Sequence, residues 1–262
     1  MAVRGRSRVL LGAAPGVGKT YAMLDEGKHL RAGGSDVVIA VVETHGRAAT
    51  AAMTEGMEVV PRHYVECRGI ELPEMDLDEV LARHPDVALV DELAHTNAPG
   101  SRNEKRWQDV EELLEAGIDV ISTVNIQHIE SLNDVVEQIT GVPQRETVPD
   151  TVLRRASQVE VVDLAPQALR DRLSSGKVYP AERIDAALSN YFRLGNLTAL
   201  RELALLWVAD EVDHALADYR SEHGIDSRWE ARERVVVALT GGREGETLSG
   251  RRLPGHGLPN RS

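Results

Sequence analysis

Aromatic side chains are scarce in this chain, at 3% with a single phenylalanine. Its core must therefore be packed from Val, Leu, Ala and Ile. Cysteine is scarcer still: Cys67 alone excludes an internal disulfide and a cysteine-based zinc cluster, and it fits a reducing cytosol. The longest apolar runs, Val37–Val42 and Leu203–Ala209, fall far short of the roughly 20 residues that cross a bilayer. The basic residues of Met1–Arg8 precede no apolar signal core, so no export is expected. Positive charge is also in deficit. Lys+Arg number 30 against 42 Asp+Glu, a net charge of −12, which disfavours nucleic acid and anionic membranes as general partners. Only four of those basic residues are lysines: Lys19, Lys28, Lys105 and Lys177.

What is present is ordinary in bulk. The 262 residues, 42% hydrophobic and 27% charged, suffice for one large α/β domain with or without an appendage. Short Val/Ile-rich runs at Arg8–Gly12, Val37–Val42, Val87–Val90 and Ile118–Val124 read as strands buried on both faces of a parallel sheet. Helical patterns lie between and after them, at Thr20–Arg31, Leu77–Arg83, Trp107–Glu115 and Ile126–Ile139. Glu58–Val60 and Tyr64–Arg68 read as extended pieces of a peripheral excursion around Pro61. Beyond Pro149 the sequence predicts a strand at Val159–Leu164, then helices at Pro166–Leu173, Pro180–Phe192 and Leu197–Glu222. The apolar stripe of the last helix is expected to pack on the sheet domain, with a dimer seam as the alternative. Arg234–Leu239 could open another α/β unit, but the glycine- and arginine-rich stretch that follows supplies no helix, and a disordered end is expected there.

The rare lysine falls in a telling place. Ala13-Ala14-Pro15-Gly16-Val17-Gly18-Lys19-Thr20 follows the first strand and opens the first helix, matching the phosphate-binding loop pattern with Ala13 where glycine is commoner. Gly16 and Gly18 free the backbone amides around Ala14, Pro15 and Val17 to curl about phosphate oxygens. Lys19 would reach the β and γ phosphates of ATP, and the Thr20 hydroxyl would ligate Mg²⁺. Val87–Val90 then ends in Asp91-Glu92. Asp91 would complete the Mg²⁺ shell, and Glu92 could polarise a water for attack on the γ phosphate.

Other strand ends carry polar groups. Asn125 is a candidate γ-phosphate sensor, or else a helix N-cap. His45 and His95 could sense phosphate or be neutral hydrogen-bonding residues. Arg102 and Arg106, in a loop rich in Asn, Pro, Gly and Ser, could act across a dimer, although solvated loop charges are the plainer reading. No guanine-selecting Asn/Thr-Lys-x-Asp element occurs, and none of the nine histidines sits in a phospho-acceptor box.

These motifs resemble the KdpD family of bacterial osmosensitive potassium-channel sensor histidine kinases. The resemblance rests on Gly12–Thr20, Val42–Arg47, Val90–Ser101, Thr123–His128 and Phe192–Ala204, and it runs from about residue 7 to residue 220. It implies a cytoplasmic ATP- and Mg²⁺-binding sensor region of P-loop NTPase-like α/β fold: a mostly parallel sheet flanked by helices, with a C-terminal helical extension. In the family a universal-stress-protein-like domain, membrane spans and a kinase core follow. Val235–Leu239 resembles the first strand of that stress-protein-like domain, through which some members bind cyclic-di-AMP. The organisation expected is a nucleotide-binding core at 1–150, an extension at 151–229 and the truncated start of the next domain at 230–262. The implied partners are ATP and the kinase part of a KdpD-type protein, or a second copy as a homodimer. Without the kinase core, the chain would act as a nucleotide-set regulatory module, with a slow stand-alone ATPase and a structural domain with a vestigial loop as alternatives.

Overall fold

The computed structural model describes residues 3–175, 188 and 190–224. The predicted helix at Pro180–Phe192 lies largely outside the described residues, and the segment Arg234–Leu239 and the rest of the predicted tail lie wholly outside them. By contact density the chain divides into Met1–Ala217 and Asp218–Ser262. All the elements below belong to the first unit, apart from the end of its last helix.

Six strands form one all-parallel sheet: β1 (Ser7–Gly12), β2 (Val37–Val41), β3 (Glu58–Val59), β6 (Val87–Val90), β7 (Asp119–Asn125) and β8 (Gln158–Val162). Their order is β3-β2-β6-β7-β1-β8, and β4 (His63–Cys67) pairs antiparallel with β5 (Ile70–Glu74) in a separate hairpin. Every residue of β2 and β6 is buried. That is why these strands are uninterrupted Val, Ile, Leu and Ala: water reaches neither face, and an alternating pattern would bury polar groups.

Helices cover both faces. On one side α1 (Lys19–Ala32) sets Met23 and Leu24 against Leu10, Ile39, Leu89 and Ile121. On the other, α3 (Leu77–Arg83), α4 (Arg106–Glu115), α5 (Asn133–Thr140) and α6 (Asp150–Arg154) contribute Val80, Val110, Leu113, Leu114, Val136 and Leu153 to the larger core. The last helix, α8 (Leu194–His223), adds Leu200, Ala204 and Trp207 to that core, so its stripe does pack on the sheet domain. Two shorter helices, α2 (Ala48–Thr54) and α7 (Pro166–Ser174), flank the loop end of α1 and β8.

Two expectations change. The helix expected over Ile126–Ile139 is two 3₁₀ turns, Ile126–His128 and Glu130–Leu132, leading into α5. The buried Ile126 and Ile129 anchor those turns to the core, and the Glu130 amide donates to the Val148 carbonyl, which diverts the chain from a continuous helix. Glu58–Val59 is no excursion; it is the edge strand of the main sheet, paired with Val38 and Ile39 of β2. The piece at Tyr64–Arg68 is half of a hairpin whose second strand, β5, carries exposed Ile70 and Glu71 and so lacks a readable buried face.

Leu89 is fully buried at the centre of the sheet under α1. Leu89→Ala is expected to lower unfolding free energy by about 2–5 kcal/mol in a urea titration. A loss under about 1 kcal/mol would contradict packing on both faces.

Candidate functional site

The sheet order decides which side chains meet. β7 lies between β1 and β6, so the C-terminal ends of the loop strand and the acidic strand both abut it. Register pairs Gly12 with Asn125, and Val90 with Ser122. The glycine-rich loop, Asp91-Glu92 and Thr123–Asn125 therefore converge on one edge, around a cavity of about 470 Å³ lined by Gly16, Lys19, Thr20, His45, Asp91, Glu92, Asn125 and His128 among others.

The loop is shaped by its glycines. Gly16 and Gly18 have φ of 90° and 114°, a region that side chains strain to occupy. Gly12 allows a close approach, since a Cβ there would lie 2.7 Å from Val17 Cγ2 and 2.8 Å from Lys19 Cδ. Gly18 is the N-cap of α1 and provides no side-chain cap, whereas α3 is capped by Asp76 accepting from the Glu79 amide. The first amides of α1 are thus left without a side-chain acceptor, which is the condition for holding an anion.

Lys19 is buried, at 8% exposure. Its Nζ donates to Asn125 Oδ1 at 2.5 Å, and among the described residues it forms no salt bridge. Burial drives its pKa from 10.5 down to about 8, with Asp91 and Glu92 opposing. A desolvated ammonium facing a neutral amide suits a further anion. Asn125 heads a 3₁₀ turn without capping it, because its side chain goes to Lys19.

Asp91 is the buried acid, 1% exposed. Thr20 Oγ1 donates to its two oxygens at 3.2 and 3.1 Å, Thr123 Oγ1 at 2.5 Å and the Glu43 amide at 3.2 Å. Burial pushes its pKa up, against the Thr123 hydroxyl and Glu43 amide. The paired Thr20 hydroxyl and Asp91 carboxylate are hard oxygen donors of the kind Mg²⁺ takes, so these residues fit that ion.

The chain turns sharply after Asp91. Glu92 has φ of 55° and its amide donates to Thr123 Oγ1 at 3.1 Å. His45 is likewise left-handed, at φ 50°, and its Nε2 lies 2.9 Å from Glu92 Oε1. Two non-glycine residues in this region, each costing about 1 kcal/mol or more, face each other across the cavity. The Glu92 bond raises the His45 pKa. Burial would raise that of Glu92, but His45 holds it lower.

Arg106 corrects the sequence reading. It is 1% exposed and is not a solvated loop charge, because it sits at the start of α4. Its Nη1 donates to the Asp91 carbonyl at 3.1 Å, and its Nη2 lies 3.5 Å from Glu74. Glu74 also accepts from the Ala98 amide at 2.8 Å and pairs with His95 Nε2 at 3.0 Å. His95 is therefore engaged in hydrogen bonding with Glu74. This Glu74–Arg106–His95 brace, which fixes the segment after Asp91, has no sequence signature. Arg102, by contrast, is exposed and pairs with Asp78 and Glu112.

The fold and site together define a parallel α/β domain with a glycine-rich loop, a buried lysine and a strand-end acid. The family described as the osmosensitive K⁺ channel His kinase sensor domain, KdpD, matches residues 3–212, and the chain belongs to it. Similar relatives are the KdpD sensor protein of Rathayibacter rathayi, 70% identical over 92% of this chain and 28% of the relative, and that of Mycobacterium tuberculosis H37Rv, 66% identical over 94% of this chain and 28% of the relative. That of Escherichia coli K12 is 54% identical over 90% of this chain and 26% of the relative. The chain thus spans little more than a quarter of the length of these relatives.

Burying the Lys19 charge costs stability. Below pH 8 folded and unfolded chains both hold the proton and the cost is felt in full; between about 8 and 10.5 the folded chain releases it first and the cost fades. Lys19→Met is expected to raise nucleotide-free stability at pH 7 by up to about 3 kcal/mol, an advantage that shrinks towards pH 10. Chemical unfolding at both pH values measures this. A less stable variant at pH 7 would contradict it.

Proposed function

We propose that this domain binds ATP with Mg²⁺ and passes its nucleotide state to the kinase part of a KdpD-type sensor, as a regulatory module of potassium and osmotic-stress signalling. The observation that carries this reading is Lys19: a buried ammonium beside uncapped amides, with an amide oxygen as its hydrogen-bond partner. In this reading the backbone N–H groups of Ala14 and of Gly16 to Lys19, with Pro15 shaping the turn between them, cradle the phosphates, Lys19 meets the β and γ phosphates, and Thr20 and Asp91 hold the metal. Bound Mg²⁺ would neutralise phosphate charge there. Asn125, already bonded to Lys19, would report the terminal phosphate in this reading. Among the described residues no helix is long and apolar enough to cross a membrane. We assign the domain to the cytoplasm, where ATP is available. The signal can be no larger than the difference in ATP affinity between the two conformations it shifts.

Isothermal calorimetry with ATP, ADP and GTP, with and without Mg²⁺, tests the reading. Lys19→Ala is expected to weaken ATP binding by roughly 2–4 kcal/mol. Equal affinity in variant and parent would end it.

A second reading, slow ATP hydrolysis, is favoured by the Glu92–His45 pair, which holds a carboxylate ionised at the cavity wall. Glu92→Gln is expected to keep ATP binding and to slow phosphate release by about 10²-fold or more. Unchanged release would make Glu92 a structural acid, and no release from the parent would leave the binding module alone standing.

A further inference from the structure

Beside the loop lies a second groove, which Asp91 does not line and to which a segment far along the chain contributes. Ala14 and Val17, the apolar members of the loop, are buried in a cluster with Leu169 and Leu173 of α7 and with Phe192 and Leu197. That packing fixes α7 against the loop and brings Arg172 to it. Arg172 Nη1 lies 3.6 Å from the point that a Cβ on Gly18 would occupy. Its guanidinium forms no hydrogen bond or ion pair among the described residues, while Arg8, Arg83 and Arg201 pair with carboxylates. That shallow groove is lined by Gly18, Thr20, Tyr21, Arg47, Thr50 and Arg172, and the Tyr21 ring is 45% exposed.

The direction of a bound triphosphate follows from the cavity and the groove. Asp91, Glu92 and Asn125 mark the side of the terminal phosphate. The other end of the ligand leaves over Gly18 and Tyr21. We infer that Arg172 contacts the phosphate nearest the nucleoside, so that the C-terminal segment forms one wall of the nucleotide site. This rests on the ATP reading above. A guanidinium suits the position, because it presents several donors in a plane and stays charged, and among the described residues it pairs with no carboxylate that it would have to leave. It also supplies a cation at a loop whose deep side holds Asp91 and Glu92. α7 and the start of α8 would then feel the ligand directly, through a charge–phosphate contact.

The test measures the affinity of the parent chain, Arg172→Ala, Arg172→Lys and Arg155→Ala for ATP and ADP with Mg²⁺. Arg155 is an exposed arginine away from the loop and controls for general charge. Arg172→Ala is expected to weaken ATP and ADP alike by about tenfold, with its nucleotide-free melting midpoint unchanged. Arg172→Lys should recover part of the loss, and Arg155→Ala should match the parent. Unchanged affinity in Arg172→Ala overturns the inference. So does a loss for ATP without one for ADP, which would put the guanidinium at the terminal phosphate. A loss equalled by Arg155→Ala overturns it as well. If the parent binds neither nucleotide, the ATP reading falls first and this inference with it.

Discussion

A carboxylate taken out of water must be bonded on every side, and Asp91 satisfies that condition by drawing the molecule's parts together. Its acceptors are filled from α1 through Thr20, from β7 through Thr123 and from the segment after β2 through the Glu43 amide. Its own carbonyl is held by Arg106 at the start of α4. Each of these groups lies in a different stretch of sequence. An unpaired buried charge costs several kcal/mol, so none of the elements can drift without exposing that cost. The sheet order serves the same end: placing β7 between β1 and β6 lets one strand touch both the loop and the acid.

Around this centre the site is held under tension. Lys19 carries its charge in a place that disfavours charge. Glu92 and His45 adopt backbone conformations that side chains avoid, and they do so opposite one another. The strands beneath are continuous aliphatic packing with no such features. Of the four left-handed non-glycine residues among those described, Arg68 and His84 lie in a hairpin turn and a helix C-cap, whereas His45 and Glu92 meet at the cavity beside a buried charge.

Much of this was legible in the sequence. Buried parallel strands write themselves as unbroken Val/Ile runs, and β1, β2, β6 and β7 stand within a residue or so of those runs. The loop was legible because its turn between strand and helix needs glycine at positions 16 and 18, where φ is positive. Asp91 was legible because it ends a strand. Where several physical causes compete, the sequence was silent. Arg106 looked like any loop arginine; only folding shows that Glu74 and a backbone carbonyl await it. Asn125 left two readings open, and the difference between them is the direction of one side chain. The chain after Ile126 has helical spacing, yet the anchoring of Ile126, Ile129 and Val148 breaks it into short turns. Arg172 carries no local signal at all, since its place depends on how Leu169 and Leu173 meet the loop.

The order of strands in the sheet also sets an order in time. Among the described strands β1 is made first, but its neighbours are β7 and β8. Every main-chain pairing of β1 therefore waits until residues up to Asn125, and then up to Val162, have been synthesised. At typical translation speeds that interval is on the order of ten seconds. Through it the apolar strand that leads into the glycine-rich loop remains unpaired, and its closure is a long-range, intrinsically slow step. A nascent chain of this kind cannot complete the pairing of β1, or the cavity edge beside it, until about three-quarters of the described residues have emerged, and the segment that waits longest is the one that leads into the loop.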